Sequence, residues 1–242
     1  MNRSGRLAVA LLAVTLLAGG AFGLWYSNTD APFVSYRVDP RHQRLQLYWR
    51  DEQNRPFRSL GQLKMWLQAR GQTLLFATNG GMYHSGNVPV GLFIQGGKTL
   101  MPLDTTSGTG NFYLKPNGVF YLTADGRAGV CRTQDFRPRK RVSYATQSGP
   151  MLVMDGRIHP ALQPGSKNLN VRNGVGLLPD GRVLFAMSKQ EINFYDFAEY
   201  FRRQGCRNAL YLDGFVSRTY APAQDWAQTD GDFGVIIGVT AK

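Results

Sequence analysis

A chain of 242 residues with 43% hydrophobic and 12% aromatic content can bury one substantial core and is neither collagenous, disordered nor repetitive. Its 28 Lys and Arg against 16 Asp and Glu leave a net charge of +12, which favours anionic partners: phosphate groups, acidic polysaccharide or anionic lipid headgroups. The basic residues are scattered, with the densest cluster at residues 137–141, so nucleic acid is not an expected partner.

Arg3 and Arg6 precede residues 7–25, a run of nineteen without a charge. This is an export signal. Residues 1–25 form either a cleaved signal peptide, with Ala18-Gly19-Gly20-Ala21 as its small-residue site, or an uncleaved N-terminal membrane anchor. Both place the rest of the chain in the periplasm, free or tethered to the inner membrane, with residues 26–32 as a linker and 33–242 as a single domain. Cys131 and Cys206 can form one disulfide there, worth roughly 4 kcal/mol in the chain-entropy model, or remain two buried thiols. Two cysteines and three dispersed histidines make no zinc site, and no cofactor or metal is expected.

Residues 33–38 and 43–49 alternate in the strand manner across Asp39-Pro40-Arg41, predicting a hairpin. Ser59 and Gln62 form a capping box for a helix with Leu60, Leu63 and Leu67 on one face and Gly71 as its stop. Residues 73–78 are a compact apolar run ending in Asn79-Gly80-Gly81-Met82-Tyr83-His84. The glycines there permit close backbone approach to an anion, or serve only to reverse the chain.

From 90 to 130 the sequence predicts a meander of antiparallel hairpins, with strands at 91–95, 98–100, 112–114 and 119–122, continued by 143–146 and 151–154 around Gln147-Ser148-Gly149-Pro150. Ser148 lacks a nucleophile-elbow pattern and is not expected to attack a substrate. Val171-Arg172-Asn173-Gly174 leads into a strand, so the Arg172 guanidinium either grips a phosphate bidentately or is simply solvated. Asn193 caps a second helix through Asp196, with Phe194, Phe197, Ala198 and Phe201 on its core face and Gly205 as its stop. The buried run 209–212 then delivers Asp213, Gly214 and Ser217 in quick succession, and an apolar strand at 233–239 closes the chain. The expected class is α+β: a mixed or antiparallel β-sheet core of many short strands with two or three flanking helices.

Four ordered motifs resemble the phosphodiester glycosidase family from about residue 73 onward. They are Asn79-Gly80-Gly81-Met82-Tyr83; Ser148-Gly149-Pro150-Met151-Leu152-Val153 with Asp155-Gly156; Arg172 with Gly176; and Gly205-Cys206-Arg207-Asn208-Ala209-Leu210 with Leu212-Asp213-Gly214. Where the family commonly runs Asp-Gly-Gly-Gly-Ser, this chain has Asp213-Gly214-Phe215-Val216-Ser217. The resemblance implies hydrolysis of a glycosidic bond to phosphate. Substrate contacts would come from Asn79, Gly80, Gly81, Tyr83, Ser148, Gly149, Arg172, Gly214 and Ser217.

That chemistry passes through an oxocarbenium-like state served by a carboxylate. Asp213 is the candidate carboxylate, Arg172 the phosphate clamp, Asn79 with the Gly80 and Gly81 amides the donors, and Glu191 the candidate second carboxylate. The alternative is a non-catalytic envelope module that binds anionic polysaccharide or phospholipid headgroups.

Overall fold

The computed structural model describes residues 32–137 and 141–241; the expected signal or anchor and nearly all of the linker lie outside them. Among the described residues no helix is long and apolar enough to cross a membrane.

Three antiparallel sheets make the body of the domain. Six strands pair in the order Phe33–Val38, Val183–Ser188, Asn173–Leu177, Asn208–Asp213, Met151–Met154 and Arg157–Ile158. A five-stranded sheet runs Lys98–Met101, Phe93–Gln95, Val142–Ser148, Gly118–Thr123 and Ala128–Arg132. A second five-stranded sheet runs Trp226–Ala227, Thr219–Ala221, Leu74–Asn79, Ile236–Thr240 and Arg44–Tyr48. Every strand pairing among the described residues is antiparallel, so the mixed-sheet alternative falls, and the flanking α-helices number two, Leu60–Gln68 and Phe194–Arg203.

The three sheets share one apolar core because large rings from each interlock. Phe185 of the six-stranded sheet stacks on Phe76 at 5.4 Å and meets Phe120 edge-on at 5.8 Å, one ring from each five-stranded sheet. All three are essentially buried, and each contributes about 2–3 kcal/mol of apolar burial.

The second helix lies close on the six-stranded sheet because that sheet is bare beneath it. A Cβ on Gly174 would stand 3.2 Å from both Phe197 and Phe201, and one on Gly176 only 2.5 Å from the Cys206 sulfur. Cys131 and Cys206 are free thiols, and burial pushes them up to about 11 and about 12.

Both helices start where the sequence places them. Ser59 Oγ accepts from the Gln62 amide at 3.2 Å, and Asn193 Oδ1 accepts from the Asp196 amide at 2.9 Å. Asn193→Ala should therefore cost about 1 kcal/mol, lowering the melting temperature by roughly 2–4 °C in a domain of this size. An unchanged melting curve would show that the cap contributes nothing.

Three expectations fail, each for a long-range reason. The turn at Asp39 is real, with its carbonyl accepting from the His42 and Gln43 amides. Its flanking strands nevertheless part: Phe33–Val38 pairs with Val183–Ser188, and Arg44–Tyr48 with Ile236–Thr240. The meander is likewise interrupted, because Val142–Ser148 inserts between the two hairpins and the chain then leaves through Gly149-Pro150 to the six-stranded sheet. Residues 111–113 wind into a 3₁₀ turn where a strand was expected. Alternation identifies strands; it does not say which sheet will take them.

Candidate active site

Two sheets meet at the ends of their strands. Leu74–Asn79 finishes at Asn79, Asn208–Asp213 finishes at Asp213, and Asn173–Leu177 begins at Asn173. Asn173 spans the junction: its Nδ2 donates to Asn79 O at 2.7 Å, Asn79 Oδ1 at 3.0 Å and Thr78 Oγ1 at 2.9 Å, while its Oδ1 accepts the Asp213 amide at 2.9 Å. Asn79 and Asp213, 134 residues apart in sequence, are thus one side chain apart in space. The Arg218 amide also bonds Asn79 Oδ1, at 3.1 Å, which fixes the amide orientation. The Asn79 Nδ2 nitrogen is buried and has no hydrogen-bond partner among the described residues, a costly condition that a ligand oxygen would relieve.

Asp213 opens a tight turn. Its Oδ1 accepts the Gly214 amide at 2.7 Å, its carbonyl accepts Ser217 Oγ at 2.7 Å, and Gly214 O accepts the Ser217 amide at 2.9 Å. Burial raises the Asp213 carboxyl to about 7, and the single amide bond only partly opposes that shift. Tyr83, half-buried beside it, is raised by burial and then by the charges of Asp213 and Asp232. Asp232 in turn accepts from Arg58 and Asn87.

Arg172 is fully enclosed rather than open to a ligand, at 0% exposure. Its Nε donates to Ile192 O at 2.7 Å, its Nη2 to Asn168 O at 2.7 Å and Asn168 Oδ1 at 3.1 Å, and its Nη1 to Tyr211 Oη at 3.4 Å; the guanidinium also lies 3.6 Å over the Phe194 ring. None of these partners is a carboxylate. The Arg172 guanidinium, expected from the sequence to clamp a phosphate, is therefore buried with no carboxylate partner among the described residues, and burial lowers its pKa.

Tyr211 connects this cation to the carboxylate turn, since a Cβ on Gly214 would lie 1.7 Å from the Tyr211 hydroxyl. Gly214→Ala should destabilise the fold by about 1–3 kcal/mol. Tyr211→Phe should recover part of that loss in the double variant, and strictly additive melting shifts would disprove the contact.

Several expected contacts are occupied internally. Ser148 is buried and donates its hydroxyl to Leu212 O at 2.6 Å, tying two sheets together, while Gly149 is held against Asn117 and Phe112. The Ser217 hydroxyl closes the turn. Gly80 gives its amide to Val235 O at 2.8 Å, so it is no anion donor, and Gly81 fits against the Thr146 hydroxyl. Glu191 is exposed on the loop before the second helix, outside this network. Among the described residues, no group of three or more His, Cys, Asp or Glu side chains could hold a metal.

Asn173 and Tyr211 escaped the sequence reading. A signal for the first was present: Asn173-Gly174, like Asn79-Gly80 and Asp213-Gly214, is a polar residue followed by glycine at a strand terminus.

Fold and strand-end cluster define an antiparallel multi-sheet domain in which Asn173 joins the Asn79 and Asp213 strand ends. The family model for phosphodiester glycosidase matches residues 72–236, and the chain belongs to that family. It is 36% identical over 216 residues, 89% of its own length and 84% of the relative's, to the uncharacterized Escherichia coli (strain K12) protein YigE. Its fold is similar to the catalytic domain of zebrafish N-acetylglucosamine-1-phosphodiester alpha-N-acetylglucosaminidase, auto-inhibited by its pro-peptide; the TM-score is 0.60 at 14% identity, covering 89% of this chain and 85% of that one. It is also similar to a Burkholderia pseudomallei protein whose designation is that of an exported protein, with a TM-score of 0.57 at 11% identity and coverage of 86% and 73%.

Proposed function

We propose that the protein is an exported hydrolase that cleaves the glycosidic bond between a sugar and a phosphodiester, with Asp213 as its catalytic carboxylate. Family membership supports the reaction class. The observation that carries the assignment of residues is the Asn173 bridge, which brings Asn79 and Asp213 to one junction between two sheets, where burial raises the Asp213 carboxyl to about 7.

A departing phosphate monoester leaves well without a proton, so the main demands are stabilising positive charge at the sugar and negative charge on the leaving group. Ionised Asp213 meets the first, as electrostatic stabiliser or as nucleophile. The Asn79 Nδ2 donor and the positive field of Arg172, reaching through Tyr211, meet the second. Because the Asp213 pKa is raised, the ionised form appears only as pH passes through about 7, and turnover should rise across that window.

The full chain should be incubated with a panel of sugar-1-phosphodiesters and the free sugar followed. Release by the unsubstituted protein but not by Asp213→Asn supports the reading. No release from any diester, with anionic glycan still bound, would make the protein a non-catalytic envelope module.

A further inference from the structure

Four large apolar side chains stand exposed among the described residues: Met65, Leu100, Leu169 and Phe215. A single exposed apolar residue is ordinary, but two of these belong to the site. Phe215, 91% exposed, is at the tip of the turn that Asp213 opens, and Leu169, 47% exposed, follows the Asn168 that receives the Arg172 guanidinium. The two loops are joined through Arg172, Tyr211 and Gly214. Phe215 has little freedom to fold back. The Ser217 bonds close the turn, and its neighbour Val216 is packed into the apolar cluster beneath.

Strand register places the chain's entry at the same end of the molecule. Phe33 pairs with Ser188, the Ser188 amide donates to Arg172 O, and the adjoining Asn173 pairs with Asp213. The first strand therefore enters three strand spacings, roughly 14 Å, from the Asp213 turn. Immediately upstream is a linker of seven residues, with a reach of at most about 25 Å, and then the uncharged run 7–25, which is long enough to span a bilayer. Lys167 and Lys189 flank the same end, with Lys189 bonding Pro32 O through its amide, and the chain as a whole carries +12. A short tether, apolar side chains at loop tips and basic residues together are the features that hold a protein at an anionic lipid surface.

We infer that the Asp213 end of the domain rests against the bilayer, with Phe215 and Leu169 in the interface, and that the substrate is a sugar phosphodiester carried on a lipid. The orientation rests on the placement of the Phe215 and Leu169 loops and on residues 7–25 being an uncleaved anchor, whereas the substrate class rests on the glycosidase reading. Phe215 then provides an apolar contact for the lipid beside the scissile bond.

The test uses the full chain reconstituted in phosphatidylcholine–phosphatidylglycerol vesicles. Phe215→Trp should add fluorescence that acyl-chain-brominated lipid quenches, over and above the quenching of the unsubstituted chain. No added quenching overturns the orientation. In the same vesicles, cleavage of a polyprenol-linked sugar phosphodiester is compared with cleavage of the methyl diester of that sugar phosphate in the aqueous phase. Phe215→Ser should lower the ratio of lipid-borne to soluble cleavage at least tenfold, and an unchanged ratio overturns the substrate class. If Phe215→Trp is quenched but neither diester is cleaved, the glycosidase reading fails and the substrate class with it, while the orientation stands.

Discussion

Asp213→Asn is expected to lower turnover by roughly 100-fold or more while leaving substrate affinity within a few fold, the scale of losing one preorganised charge that acts mainly in the transition state. The substitution keeps the side chain's shape and its acceptor for the Gly214 amide, so geometry is not the variable. It should also flatten the rise in turnover through pH 7.

Stability should move the other way, and linkage gives the sign. The folded-state pKa is raised to about 7, so the folded state favours the protonated form; ionisation on passing from acid to alkaline pH costs stability, up to about 4 kcal/mol above pH 7. The Asn variant cannot ionise. It should melt higher than the parent at pH 8 and alongside it near pH 4. Equal melting temperatures at both pH values would mean that the carboxyl is not desolvated, and full turnover would remove it from the mechanism.

Arg172→Ala should be the most damaging single truncation near the site. It strips donors from Ile192 O and Asn168 O and leaves space beneath Phe194, so a loss of about 3 kcal/mol or more is expected, with a fall of roughly 10 °C in melting temperature. Turnover should fall too, because the cation's field and the Tyr211 position both change. Arg172→Lys separates these effects. It restores the charge without the fork, so it should recover some of the lost turnover but little of the lost stability. If Arg172→Ala melts like the parent, the guanidinium does not hold the loop.

Local grammar carried much of the fold. Ser59, Asn193, Gly71 and Gly205 mark the helix ends, and Gly71 and Gly205 adopt φ of 69° and 84°, where a side chain would be strained. The strand ends at Asn79 and Asp213 were legible from an apolar run followed by a polar residue and glycine. What sequence could not supply was partnership. Nothing near Asp39 states that its two strands join different sheets, and nothing near Arg172 states that Ile192, Asn168 and Tyr211 will enclose it. Asn173 was passed over because its role lies in bridging two segments far away in the chain, which a local window does not contain.

The bridge made by Asn173 bears on how the molecule opens. Strand termini ordinarily fray first, and their amides exchange with solvent fastest. Here the Asp213 amide is held by Asn173 Oδ1, and the Gly80 amide just past Asn79 by Val235 O, so the termini of two sheets are sutured to their surroundings where they would otherwise come loose. Hydrogen exchange should find these two amides as slow as mid-strand positions and, in Asn173→Ala, accelerated together. The reacting end of the domain would then be its stiffest, and warming should leave it intact until the whole domain melts.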